Sequence, residues 1–511
     1  MKRFNGQGIS MNSQDWHPWR LENLLTGGER RNADLSAPQS LFQREVAMRP
    51  FRIMLDWDYL RQDHNARLLE YLLEFSSNEL IEAYWYSRDD PPPHLQRIST
   101  PVAESAVEHW VVNLESRWSH VGEIVYGANE TFTRVEFSLD DWRFRLVDSN
   151  TVKAFAVENG NDAQSIDQDT RAILSAEAIQ ADVFVTSRHY LLNHPYKLSN
   201  EVTILDLSAT LPLVGLHSRL RGYYLIQKAK YIHERCSAWL FFRVAAQHLI
   251  PILRPFRHWC NKLAKQRSDD RYLFLIQSLQ QRISWTLSSR DRLLGVLATP
   301  QQNQSQEDSV SLVTEISLWL MGALDASALL AHLIFGLRSN ERFAGWQSTK
   351  WLVEVTHHRP QLSSLFETKS EGHNTLLIIR EIRNCIHAEA LGTMGYQRNG
   401  SPLESLVTLP PMKRPSIIEA MDLLGGRDKW GARSLQGNEV LLHPGVLIET
   451  LLPQAFDLIE NVLALLLPNL DHIFEADNDS DSLSSLQPSR MLFSNAGGQR
   501  LLWQLGSNRM P

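Results

Sequence analysis

Four polar residues that could act together on RNA lie close to one another late in the chain: Arg380, Arg383, Asn384 and His387. Relative to Arg380 the others follow at three, four and seven residues, which would place all four on one face of a helix. An imidazole titrates at about pH 6.5, and a guanidinium matches two phosphate oxygens at once. The pattern predicts RNA cleavage without a metal ion, in which His387 moves the proton and an arginine holds the phosphate.

The other side of the same predicted helix is apolar, and we expect it to face a core. It carries Ile378, Ile379, Ile382, Cys385 and Ile386. An arginine with a histidine four or five residues later also occurs at Arg243 and His248 and at Arg254 and His258. No further polar group accompanies those two pairs, so we interpret them as ordinary helix faces.

The stretch IIREIRNCIHAEAL resembles the catalytic motif of the HEPN superfamily, and the resemblance covers residues 310–470. Ribonucleases of that family carry an arginine, four to six residues and then a histidine, often with a polar residue directly after the arginine. Arg380 and His387 have six residues between them, whereas Arg383 is followed by Asn384 but lies closer to His387 than the family pattern. Either arginine can therefore fill the family role. The resemblance implies an all-α bundle, no cofactor at this site, and a homodimer.

The first part of the chain alternates strands and helices, which predicts a mostly parallel sheet. The order of its elements resembles that of PIN-domain nucleases, in which carboxylates at the strand ends hold Mg²⁺ or Mn²⁺. Asp56 follows a buried strand and matches the first acid, and Asp167 or Asp169 matches the acid that opens a later helix; the metal ligands implied are Asp56 and Asp169. A middle acid could come from Glu108, Glu115 or Glu123.

One position departs from that family pattern. Where the family has a further acid, this sequence reads Thr186, Ser187, Arg188, and a cation there would repel a metal ion. Asp182, inside the preceding strand, is interpreted as structural. The alternative to metal-dependent cleavage is nucleic-acid binding, in which Arg188 and His189, with His194 nearby, contact phosphates at the sheet edge.

A basic stretch with interleaved aromatic residues follows the α/β region. The cations of such a surface can bind along a phosphate backbone, and its aromatic rings can stack on unpaired bases. We expect Lys228, Lys230 and Arg235 to contact RNA there. The overall net charge of −7 argues against a protein that coats nucleic acid non-specifically.

Three cysteines in 511 residues cannot form a disulfide framework, and no apolar run is long enough to span a bilayer. We therefore predict a cytoplasmic protein without a membrane segment. His357 and His358 are adjacent and would point in different directions on a helix, so we interpret them as a surface pair.

The predicted fold class is α/β plus all-α: a PIN-like three-layer α/β domain with a mostly parallel sheet, followed by a HEPN-like helical bundle. The predicted domains are a flexible arm at 1–48, the PIN-like domain at 49–215, a basic helical connector at 216–298, the HEPN-like domain at 310–475 and a flexible tail at 476–511. A helix is expected over 102–118 and a linker or long loop over 299–309. Long helices are expected elsewhere from residue 213 to 475.

The favoured function is a metal-independent endoribonuclease of a bacterial toxin or antiphage-defence type, which implies an antitoxin or defence-system partner. One alternative is a non-catalytic nucleic-acid-binding or scaffold protein. Another is a metal-dependent nuclease that uses the acids of the α/β domain.

Overall fold

The computed structural model divides the chain into two compact units. The first comprises Met1–Ser218, Ala229–His233 and Trp503–Gly506, and the second comprises Arg219–Lys228, Glu234–Leu502 and Ser507–Pro511. The structure describes residues 50–60, 66–76, 80–86, 110–118, 121–128, 131–138, 163–193, 198–199, 201–229, 232–299, 301–387, 389–397, 403–434, 439–468 and 495–506. The predicted arm at 1–48 lies outside these residues, as do Glu108 and His194.

The first unit contains a seven-stranded sheet in the order β5-β4-β3-β2-β1-β6-β7. Its strands are β1 (Phe51–Asp56), β2 (Ile81–Tyr86), β3 (Trp110–Trp118), β4 (Val121–Ala128), β5 (Thr131–Ser138), β6 (Val183–Val185) and β7 (Thr203–Leu205). The central strands β3, β2, β1, β6 and β7 pair in parallel, and β4 and β5 extend the sheet antiparallel. The strand order reverses between β1 and β6, and at such a point the carboxyl ends of neighbouring strands leave a crevice.

The helices described in this unit are α1 (Trp57–Leu60), α2 (Ala66–Phe75), α3 (Ala163–Ala178), α4 (His189–Leu192) and, for most of its length, α5 (Leu207–Leu220). Strand β1 is buried on both faces, as its unbroken apolar run predicts for a central parallel strand. Helix α2 buries Leu69, Leu72 and Phe75, which recur at helical spacing. The mixed α/β class expected for this region is thus confirmed.

The helix predicted over 102–118 is wrong for residues 110–118, which form β3. The segment WVVNLESRW begins with aromatic and β-branched residues, and pairing with β2 and β4 overrides its helical spacing. The expected strands WRFRLVD and KAFAVENG lie outside the described residues.

The second unit is mainly helical. Its helices are α6 (Ala238–Leu249), α7 (Leu253–Arg267), α8 (Arg271–Leu297), α9 (Asn303–Phe335), α10 (Thr349–His358), α11 (Gln361–Phe366), α12 (Glu371–Asn384), α13 (Arg414–Leu423) and α14 (Pro444–Leu466). Helices α8 and α9 pack along each other, and α12 packs on α9, α13 and α14. The expected helical domain and most of the expected connector fall within this unit, whereas residues 216–218 and 229–233 of the connector belong to the first unit.

Three expectations for this half are corrected. The polar segment predicted as a linker or long loop at 299–309 instead contains the start of α9 at Asn303, where the Gln302 and Ser305 side chains cap the helix. Four strands interrupt the helices and form the sheet β10-β11-β13-β12, from Gly392–Tyr396, Glu404–Thr408, Ala432–Ser434 and Val440–Leu442. A two-stranded sheet, β8 (Tyr224–Ala229) with β9 (Ile232–Cys236), lies within the expected connector.

The predicted flexible tail contains a helix, α15 (Asn495–Leu505), that buries Leu501, Leu502 and Leu505. Its last residues belong to the first unit, where Gln504 hydrogen-bonds Tyr71. The three leucines lie at helical spacing and so form one apolar face of this helix.

Helix α9 is the one described helix that is long and apolar enough to cross a membrane, which corrects the expectation that no apolar run has the necessary length. In its most apolar window, 56% of the residues are buried inside the structure. That burial is typical of the core helix of a soluble protein.

Candidate functional site

A buried ion cluster lies where β1 and β6 end, beside α3. The Arg188 Nε donates to Asp56 Oδ2 at 2.6 Å, its Nη2 donates to Asp56 Oδ1 at 3.0 Å, and its Nη1 donates to Asp169 Oδ1 at 2.7 Å. The Thr186 hydroxyl donates to Asp56 Oδ2 at 2.6 Å and accepts from the Arg188 backbone N–H. The structure thus brings together Asp56 and Asp169, as expected, with the guanidinium of Arg188 between them.

Arg188 is enclosed rather than exposed. Only 4% of the residue is accessible, and its guanidinium carbon lies 4.2 Å from the centre of the Tyr59 ring. Burial alone would lower the pKa of Arg188, but the two carboxylates raise it, so the side chain stays charged. The expectation that Arg188 contacts phosphates is therefore corrected: both carboxylates occupy its donors.

The residues of this cluster do not fit a divalent ion. Hard cations need several oxygen ligands, and here a guanidinium already takes both oxygens of Asp56. Among the described residues, no group of three His, Cys, Asp or Glu side chains could hold a metal ion. Glu115 and Glu123 lie on β3 and β4, which are separated from β1 by β2. Asp182 has the expected structural role, since it accepts from the Arg52 N–H.

The second site lies at the end of α12. Ser370 caps the start of this helix, and Ile378, Ile379, Ile382 and Cys385 are buried on its apolar face as predicted. The helix ends at Asn384, and the backbone N–H of His387 donates to the Asn384 carbonyl in a tight turn. His387 is exposed, and it lies in this turn rather than on the helix, which corrects the single-face expectation. Ile386 is also outside the core, with 49% of it exposed.

Arg380 is held by its neighbour in sequence. Its Nε and Nη2 donate to Glu381 Oε1 at 3.0 and 2.8 Å, while Lys413 Nζ lies 2.6 Å from Glu381 Oε2. The carboxylate of Glu381 therefore has two cationic partners, from α12 and from the residue before α13. Glu381 lies within the predicted motif, but nothing in the sequence indicates its pairing with Lys413.

Arg383 faces two other helices. Its Nη1 donates to Asn384 Oδ1 at 3.1 Å, and its charge acts on Asp325 of α9, as does that of Arg282 of α8. Burial raises the pKa of Asp325, and both arginines oppose that rise. A side chain at Gly322, one turn before Asp325, would come within 2.7 Å of Arg282 Nε, so this glycine lets Arg282 lie across α9.

Four cations and three carboxylates lie near the histidine turn or near the arginines that precede it, on the described elements: Arg282, Arg380, Arg383 and Lys413 against Asp325, Glu381 and Glu389. The excess of one positive charge favours an anion. Sequence reasoning missed Arg282, Asp325 and Lys413, because each lies far from the motif and no local spacing connects it to Arg383 or Glu381.

The other residues expected to contact RNA lie on α4 and on the sheet of β8 and β9. His189 is exposed at the start of α4. Arg235 is exposed, with its guanidinium carbon 4.0 Å from the centre of the Tyr223 ring. Lys230 lies outside the described residues, and Lys228 is placed only as part of β8. Arg219, from the same basic stretch, is instead buried in an ion pair with Asp291.

The Glu381 cluster predicts a pH-dependent stability. Burial would raise the pKa of Glu381, but the hydrogen bonds from Lys413 and Arg380 lower it overall. A carboxyl whose folded pKa is lowered stabilises the fold above its unfolded pKa of about 4.3, and the contribution is lost as pH falls through the folded pKa. We expect Glu381→Gln to lower the free energy of unfolding by about 1 kcal/mol at pH 7.

Urea titrations of the wild type and Glu381→Gln at pH 7 and at about pH 3.5 measure this effect, and the difference between them should shrink at the lower pH. Glu419→Gln, at an exposed position of α13, is the matched control and should show no such pH dependence. If Glu381→Gln loses the same free energy of unfolding at both pH values, the ion pairs of Glu381 do not explain the loss.

No family model, curated protein or solved structure matches the chain. The geometry itself defines an α/β unit whose sheet crevice is filled by a buried arginine, and a mainly helical unit with an exposed histidine in a cationic turn.

Proposed function

We propose that the second unit is a metal-independent endoribonuclease of the bacterial toxin or antiphage-defence type, which cuts RNA by attack of the 2′-hydroxyl on the adjacent phosphorus. One observation carries the proposal: exposed His387 lies in the turn directly after the hydrogen-bonded pair of Arg383 and Asn384. An imidazole beside fixed cationic and amide groups suits proton transfer at a phosphodiester.

The residues take distinct roles in this scheme. His387 accepts or returns the proton, and Arg380 holds a non-bridging phosphate oxygen. Because Lys413 also neutralises Glu381, Arg380 can turn to a phosphate without leaving that carboxylate unpaired. Asn384 accepts from Arg383 through its oxygen, which leaves its amide N–H groups to donate to the substrate.

Arg383 is the alternative phosphate ligand. Its buried Nε and its interaction with Asp325 favour a positioning role, in which it orients Asn384. The family resemblance further implies a homodimer, and the exposed Ile386 beside His387 suits a contact between protomers. An antitoxin or defence-system partner is implied in the same way.

The test is incubation of the purified full chain with structured RNA, with and without EDTA. EDTA-resistant cleavage that leaves a 2′,3′-cyclic phosphate is the expected result, because the scheme uses no metal ion. EDTA-sensitive cleavage lost in Asp56→Ala would favour the metal-dependent alternative instead. No cleavage in either condition would favour a non-catalytic nucleic-acid-binding or scaffold protein.

A further inference from the structure

One face of α8 carries exposed aromatic and polar residues. Among them, Arg271, Phe274 and Trp285 are exposed and Ser278 and Gln281 are half-exposed, and the five recur at intervals of three, four, three and four residues. These five residues are called the α8 stripe below. Intervals of three and four residues keep side chains on one face of a helix.

Large aromatic rings stand on and beside this stripe. Phe274 is 69% exposed, Trp285 is 43% exposed, and the two lie about 16 Å apart along the helix axis. Trp239 of α6 is 51% exposed, and its Nε1 donates to Gln281 Oε1 at 3.2 Å, which fixes the ring beside the stripe. The Trp285 ring packs against Trp319 with 4.6 Å between centroids. These rings are therefore held in place while still facing solvent.

The charge beside the Trp239 ring is positive. The Arg243 guanidinium lies 4.8 Å from the centre of the Trp239 ring. Burial lowers the pKa of Arg243, and the nearby positive charge of Arg257 lowers it further. At one end of the stripe, the carboxylate of Glu341 is already paired with Arg271 at 2.5 Å. An anionic ligand that also has flat faces would complement this surface.

The stripe borders the candidate ribonuclease site. Ser278 of the stripe accepts a hydrogen bond from Arg282 Nη1 at 2.7 Å. The charge of Arg282 in turn acts on Asp325, together with that of Arg383 of α12. A ligand lying on the stripe would thus pass close to the cationic site.

We propose that the α8 stripe, with Trp239, Arg243 and Arg257, binds single-stranded RNA and leads it to the histidine turn. Bases stack on the Trp239, Phe274 and Trp285 rings, and phosphates lie on the two arginines. This inference rests on the proposed function for its substrate. A partner helix is the less suitable occupant, because a coiled-coil seam needs apolar residues where Ser278 and Gln281 stand.

The test measures binding of a fluorescent single-stranded 20-nucleotide oligouridylate to the full chain carrying His387→Ala, so that cleavage cannot interfere. Trp239→Ala and Trp285→Ala should each weaken binding about 5- to 150-fold. Arg243→Gln should weaken it and reduce the slope of log K against log salt concentration by about one. Val353→Ala, at a 54% exposed position of α10, is the control and should bind like the parent.

Trp239→Phe keeps a stacking ring and should retain most of the affinity, which separates loss of stacking from loss of folding. Stripe variants that bind as tightly as the parent would overturn the proposal. The proposal would also be wrong if the stripe variants lower the molecular mass measured by sedimentation but leave RNA binding unchanged. The stripe would then be an interface between two copies of this chain. If the wild-type protein binds the oligonucleotide through the α8 stripe but does not cleave RNA, the proposed ribonuclease function is wrong. The proposal that the stripe binds RNA would still hold.

Discussion

Replacing Arg188 by alanine should lower the free energy of unfolding of the first unit by about 3–5 kcal/mol. The substitution removes the guanidinium that lies between the carboxylates of Asp56 and Asp169, which are 0% and 2% exposed. Uncompensated buried charge is one of the few causes of losses this large. Urea unfolding and hydrogen exchange of the β1 amides measure the loss, the latter reporting on this unit alone.

Arg52→Ala is the matched control, because Arg52 lies on β1 and pairs with Glu82 at a partly exposed position. It should cost about 1 kcal/mol. Asp169→Asn in the Arg188→Ala background should recover part of the loss, since it removes one of the two facing charges. Equal losses for Arg188→Ala and Arg52→Ala would contradict the structural role of the cluster.

The Arg188→Ala variant also tests the argument that the guanidinium of Arg188 prevents the cluster from binding a divalent ion. With the guanidinium removed, the two carboxylates and the Thr186 hydroxyl present oxygen atoms to a common point. Millimolar Mn²⁺ should therefore raise the melting temperature of Arg188→Ala more than that of the wild type. Equal shifts of the melting temperature in the two proteins would show that the Arg188 guanidinium does not occupy the position of a divalent cation.

Replacing His387 by alanine should reduce EDTA-resistant RNA cleavage by about 10²- to 10⁴-fold, the usual contribution of a positioned acid–base group. Because His387 is exposed in a turn, the substitution should leave the melting temperature nearly unchanged. Single-turnover cleavage of a labelled RNA, followed across pH, measures the effect.

His357→Ala is the control, since His357 is likewise exposed and lies in the same unit, at the end of α10. It should cleave at the wild-type rate. If His387→Ala cleaves RNA at the same rate as His357→Ala, His387 has no part in the mechanism. This conclusion does not depend on the roles of Arg380 and Arg383.

Much of the local structure follows from the sequence alone. The apolar run before Asp56 determines a buried central strand, and the spacing of Ile378, Ile379, Ile382 and Cys385 determines which face of α12 is buried. The proximity of Asp56 and Asp169 also follows, because parallel strands and the helices between them bring such residues to one edge of a sheet.

Only the tertiary structure decided how those groups are used. Arg188 reads as a surface cation in the sequence, yet burial between Asp56 and Asp169 makes it a structural ion partner. Likewise α12 ends before His387, and Arg383 acts together with Arg282 on Asp325, although the three residues lie on helices far apart in sequence. Periodicity sets which face of an element is apolar, whereas the charges that face one another depend on long-range packing that no local pattern encodes.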